Sequence, residues 1–182
     1  NGKNLEWTIN INGNETKVFT IRVMVSSPSG STAIFSNDHE TFTSFTPTTN
    51  PAFPMGAWTL KDSVAGAYSG RKFWFSKDIA EGGEDASLTT TNALAIPANA
   101  YLVFVHKYAT EATFDGGVVE ASADNGVSWT AIPAATFVNG SYNGIITTAN
   151  TAQIGPATLA AFKGPATGDL TSNTRLDHFS VL

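Results

Sequence analysis

The chain has 182 residues, 42% apolar and 11% aromatic, with only 14% charged side chains, no cysteine and a formal charge of −5. That length suits one domain with a sizeable core and part of a neighbour. Ten Lys plus Arg give no basic footprint for nucleic acid, no apolar run approaches a bilayer span, and without cysteine there is neither a disulfide framework nor a thiolate site.

Residues 5–25, LEWTININGNETKVFTIRVMV, alternate in two runs about Asn12-Gly13-Asn14, the chemistry of a hairpin turn. Residues 26–32, SSPSGST, have no apolar periodicity and form a linker. The expected organisation is therefore a hairpin at 1–25, the linker, and a main domain at 33–182. Asn1 follows no charged-then-apolar leader, so we expect a piece of a larger exported protein, without membrane insertion.

From Ala33 onward, strand-like runs recur between turn residues: 33–38, 67–77, 86–91, 100–109, 117–123, 127–133 and 176–182. Residues 44–56, SFTPTTNPAFPMG, hold three prolines in thirteen residues and are expected to be a long loop. Only 62–68 and 151–164 hint at helix, and Gly or Pro interrupts both. The expected fold class is all-β.

Ser122-x-Asp124-x-Gly126-x-Ser128-Trp129 has the spacing of an Asp-box, in which the carboxylate accepts turn amides, the glycine takes positive φ and the tryptophan covers the turn. Its expected role is structural. His39-Glu40 begins an H-E-x-x-H pattern, but position 43 is Thr, and His106 and His178 stand far apart, so no zinc triad is expected. Glu111, Asp115 and Glu120 are the candidates for paired-carboxylate hydrolysis. Alternation places Glu120 toward solvent, and acids in the connection at 111–115 more often fix a loop or hold a cation. No catalytic residue is assigned.

Calcium takes six to eight oxygens and needs neither Cys nor His. Asp38, Glu40, Glu111, Asp115 and Asp177 sit near element ends and are its candidate ligands. Trp58, Tyr68, Trp74 and Tyr108, with Tyr142, are candidate stacking rings for a glycan or a protein surface. In 71–77, RKFWFSK, alternation sets Phe73 and Phe75 opposite Trp74, which makes Trp74 the expected exposed ring.

The run YLVFVHKYATEATFDGGVVEASADNGVSW, 101–129, resembles a signature of jelly-roll β-sandwich modules, MAM-like and cleaved-adhesin-like, that accompany secreted bacterial metallopeptidases and adhesins. The segments at 34–40, 57–75 and 175–182 resemble its opening, W-to-YSG and closing parts, whereas 163–174 lacks the apolar penultimate strand of that family. The N-terminal hairpin resembles the end of an immunoglobulin-like module. The resemblance implies a non-catalytic, secreted accessory or adhesin module with structural calcium, bound to a glycan, a surface or neighbouring domains of its parent chain. The alternatives are a hydrolase using carboxylates near Glu111 and Asp115, or a structural spacer.

Overall fold

The computed structural model describes residues 32–40, 44–52, 56–76, 85–110, 115–147, 158–164 and 170–175. The chain divides at Ala33/Ile34, and every described strand belongs to the unit Ile34–Leu182. The expected hairpin at 1–25 and closing strand at 176–182 lie outside the described residues, as do Glu111, Asp177 and His178.

The fold class is all-β: the described residues form eleven strands, all paired antiparallel, one 3-10 turn at Ala134–Thr136 and no α-helix. In chain order these are β1 Phe45–Thr49, β2 Thr59–Asp62, β3 Lys72–Phe75, β4 Ala86–Thr90, β5 Tyr101–His106, β6 Glu120–Ala121, β7 Thr130–Ala131, β8 Phe137–Asn139, β9 Gly144–Thr147, β10 Thr158–Ala161 and β11 Leu170–Arg175. β5, β11 and β8 make a three-stranded sheet with β11 in the middle, and β1–β4, β2–β3, β6–β7 and β9–β10 are two-stranded ribbons. No described helix is long and apolar enough to cross a membrane.

Three expectations are corrected. The opening stretch 33–38 is not a strand. Asn37 Oδ1 accepts the His39 amide at 2.7 Å and Asp38 Oδ1 accepts the Glu40 amide at 3.1 Å, so two short polar side chains offer the backbone a turn in place of a ladder. His39 takes φ 64° there.

The proline-rich 44–56 is not simply a loop, because β1 runs through Pro47 and pairs it with Leu88 of β4. Thr91 donates to the Ser44 carbonyl and Asn50 to the Asp85 carbonyl, both at 2.8 Å. Counting inward in steps of two from these bonded pairs, Pro47 falls at a wide pair, where an amide hydrogen would point away from β4. Proline is thus compatible with this strand.

The third correction is β11. LTSNTR has one apolar residue, yet it is the central strand, in register from Leu170 opposite His106 to Arg175 opposite Tyr101. The helix hint at 62–68 amounts to one turn, with the Ala67 and Gly66 amides both 3.1 Å from the Ser63 carbonyl.

The described core is small and centred on Phe162, 5% exposed, with Ile132, Ile146 and Ala161 also buried. Rings from neighbouring segments surround Phe162: His106 at 4.4 Å between centroids, Tyr142 at 4.8 Å, Tyr108 at 5.8 Å, Phe137 at 5.9 Å and Phe104 at 6.2 Å. Each is tilted or edge-to-face to it, the arrangement favoured by ring quadrupoles. Phe162 is held in place by a reciprocal bridge, its amide to the Gly117 carbonyl at 2.9 Å and the Gly117 amide to its own carbonyl at 3.0 Å. Tyr142 adds a second link, its hydroxyl donating to the Val119 carbonyl at 3.2 Å and accepting from the Val119 amide at 3.1 Å.

Candidate functional site

The stretch 120–131 forms a closed hairpin, β6 against β7. Asn125 and Gly126 take φ 58° and 85°, which turns the chain back within a few residues. Asp124 occupies the turn: Oδ1 accepts the Ser122 hydroxyl at 2.7 Å and the Ser128 amide at 2.8 Å, while Oδ2 accepts the Ser128 hydroxyl at 2.5 Å. The Ser122 oxygen in turn accepts the Gly126 amide at 2.7 Å. These bonds, led by those from Ser128, hold the Asp124 carboxyl down at about 2. An acid this well satisfied is a turn device and a poor proton carrier. Trp129 packs over the turn, its Cζ2 3.5 Å from where a side chain on Gly126 would begin, but the residue is 44% exposed and only partly covers it.

Glu40 has a comparable place. Its Oε1 accepts the Arg71 amide at 2.5 Å and the Lys72 amide at 2.7 Å, and Lys72 Nζ returns a bond to the Glu40 carbonyl at 3.0 Å. The two amides, Lys72's first, lower the carboxyl below its ordinary value. Gly70, at φ 62°, lets the carboxylate approach, since a methyl group on Gly70 would collide with Glu40 Oε1.

The candidate calcium ligands in the described residues are therefore Asp38, occupied by a local turn, Glu40, occupied by the β2–β3 connection, and Asp115, whose carbonyl accepts the Thr110 hydroxyl at 3.3 Å. These three do not converge, and among the described residues no three His, Asp or Glu side chains gather in a cation-sized group. Of the acids weighed for hydrolysis, Glu111 lies outside the described residues, and Asp115 joins no group of three acids or histidines among the described ones. Glu120 is exposed, as alternation predicts, and its carboxyl is raised, first by loss of solvent around the carboxylate and then by the charge of Asp85.

The candidate rings do not form one platform, and Tyr142 packs in the core 4.8 Å from Phe162. Tyr108 stacks on His106 at 5.5 Å and 27° and belongs to the cluster around Phe162. Trp58 is half-buried, with Nε1 donating to the Ala86 carbonyl at 3.1 Å. Trp74 is half-buried too, and its indole nitrogen is enclosed without a hydrogen-bond partner among the described residues. The exposed ring of this strand is Phe75 instead. The alternation in RKFWFSK is visible in the sequence, but the inward side is chosen by the partner strand: β2 sets Leu60 opposite Trp74 and Lys61 opposite Phe73. Tyr68 is exposed, in the turn before β3.

Two features escaped sequence reading. His106 Nε2 lies 2.9 Å from Ser172 Oγ, whose hydroxyl donates to the Gly140 carbonyl at 2.6 Å. A carbonyl only accepts, so the serine proton goes to Gly140 and the histidine must donate to serine. An activated serine would need the opposite direction, and Ser172 is fully enclosed. Burial lowers the His106 pKa and favours the neutral ring. The other feature is a row of apolar side chains on the outer side of β5: Tyr101, Val103 and Val105 are 43%, 46% and 37% exposed, while Leu102, Phe104 and His106 between them turn inward.

Compared with protein-family models, curated proteins and solved structures, the chain matches none.

Proposed function

We propose that residues 33–182 are a non-catalytic binding module of a secreted, multidomain bacterial protein, a jelly-roll-type sandwich that attaches its parent chain to a glycan, a protein surface or a neighbouring domain. The observation that carries this reading is the row Tyr101, Val103 and Val105, three apolar side chains presented together on a regular strand whose opposite side packs into the core. Contiguous exposed apolar groups mark interaction surfaces more often than scattered ones. A second support is the use of the available acids: Glu40 and Asp124 serve backbone amides. The resemblance of residues 101–129 to secreted accessory modules points the same way, and a bound calcium would need oxygens beyond Asp38, Glu40 and Asp115.

The test is cosedimentation of the full chain with insoluble polysaccharides, together with chromatography over the adjoining domain of its parent. Val103→Lys should reduce the bound fraction several-fold without moving the melting temperature. Equal binding by this variant would exclude the β5 face. The hydrolase reading has one observation in its favour, the raised carboxyl of Glu120. Polysaccharide turnover that disappears in Glu120→Gln would establish it in place of the binding module.

A further inference from the structure

We propose that a second, smaller site lies where the opening segment meets the β1–β4 ribbon, and that its ligand is a neutral sugar of one or two rings. A cleft of about 370 Å³ opens there, walled on its apolar side by Ile34, Phe35 and Leu94. Its polar side carries Ser36, Ser44, Thr90 and Asn92, and no charged side chain lines it. The volume is at the small end of ligand pockets, which begin at about 300 Å³.

Contacts within the ribbon fix the walls. Phe35 meets Phe45 edge-to-face at 5.9 Å and 89°, which sets the orientation of the Phe35 ring. Thr90 pairs with Phe45 at the last rung of β1–β4, and the Thr91 amide bonds the Ser44 carbonyl at 2.8 Å. Ser44, Thr90 and Asn92 are thereby held around the open end of one ribbon. Polar side chains elsewhere in the domain commonly have protein partners, as Ser76, Thr110, Ser122 and Asn143 do. The Ser36, Ser44, Thr90 and Asn92 side chains bond no other described residue. Residues whose hydroxyl and amide groups can both donate and accept thus line one small cleft beside an apolar wall.

That combination selects ligand chemistry. An anion would find no cation there, and a cation no carboxylate. A purely apolar ligand would desolvate the polar groups of this lining without replacing their water, which is unfavourable. A pyranose has an apolar C–H face for Phe35 and Leu94 and a rim of neutral hydroxyls for the serine, threonine and asparagine groups.

The site is separate from the β5 face, so a Val103→Lys chain that no longer holds its macromolecular partner should still bind the sugar. The experiment is saturation-transfer NMR on the full chain with N-acetylglucosamine, methyl α-mannoside, lactose, glucuronic acid and an uncharged, blocked tetra-alanine peptide. At least one neutral sugar should bind and glucuronic acid should not. Asn92→Ala and Thr90→Val should each weaken that sugar by about tenfold, the loss of roughly one good hydrogen bond, with unchanged circular dichroism and melting. No binding by any neutral sugar, tighter binding of the peptide, or affinities unchanged in both variants would overturn the proposal.

Discussion

Ser172 of the central strand β11 and His106 of β5 are joined by a hydrogen bond of 2.9 Å in which the ring donates and the hydroxyl passes its own proton to Gly140. One buried serine therefore links β5, β11 and the residue that follows β8. Ser172→Ala should destabilise the domain by roughly 2 to 4 kcal/mol, because it strands a ring N–H and a carbonyl, each costing about 1 to 3 kcal/mol. Urea denaturation measures it, and the double variant His106→Phe, Ser172→Ala should recover part of the loss by removing the stranded donor. A Ser172→Ala midpoint equal to wild type would sink this account.

The same pair sets a pH dependence. Burial depresses the folded pKa of His106 below its ordinary 6.5, as it does for His39 against the opposing charges of Asp38 and Glu40. Between the folded and unfolded values the unfolded chain binds more protons, so stability present above about pH 6.5 is lost as the pH falls through the folded value. Melting temperature should decline below that point, and the decline should be shallower in His106→Phe. Identical profiles would remove His106 from the explanation.

Asp124 acts in a lower window. Its folded pKa of about 2 stands below the ordinary 3.8, so its contribution is complete above about pH 4 and lost as the pH drops toward 2. Asp124→Asn keeps the shape but cannot accept the same set of donors, and it should lower the melting point at neutral pH while flattening the acid limb. Salt should matter little, since the effect comes from hydrogen bonds to serine hydroxyls and an amide. An acid limb as steep in Asp124→Asn as in wild type would count against it.

Trp129→Ala tests how far the ring seals that hairpin. A fully buried aromatic truncation costs about 3 to 5 kcal/mol, but this tryptophan is 44% exposed, so the expected loss is roughly 1 to 2 kcal/mol. Guanidinium denaturation followed by circular dichroism gives the number. A loss of the full core size would mean that something covers the ring in solution.

What could be read from the chain alone depended on how near each residue's partners lie. The Asp-box hairpin was legible because the bonds that make it run between Ser122 and Ser128, all local in sequence. The all-β class was legible from turn residues and alternation, which are also local. β11 was not, because LTSNTR is polar and becomes central only through distant partners such as Gly140 and His106. Trp74 and Phe75 show the same limit within a single strand: the period was visible, and the buried side was decided by Leu60 across the ribbon. The metal expectation placed Glu40 by its position near an element end, and nothing local revealed that the distant Arg71 and Lys72 amides would claim its carboxylate.

Glu40 supplies the last prediction, which separates a structural acid from a calcium ligand. Its carboxylate accepts two amides beside Gly70, at φ 62°, and its folded pKa is lowered by them. Glu40→Gln keeps one acceptor oxygen but removes the charge that strengthens both bonds, so the melting temperature should fall, and by the same amount in EDTA as in millimolar calcium. Gly70→Ala should reproduce the fall from the other side, since the added methyl group both strains a positive-φ residue and displaces the Glu40 oxygen. If Glu40 instead ligated calcium, the ion would bind the folded state preferentially and stabilise it by mass action, about 2.7 kcal/mol at one hundred times the dissociation constant. Wild type would then melt higher in calcium than in EDTA, and Glu40→Gln would abolish the difference. Differential scanning fluorimetry on the three chains in both buffers decides between the two, and a calcium-dependent shift confined to chains with Glu40 intact would overturn the structural role of this residue.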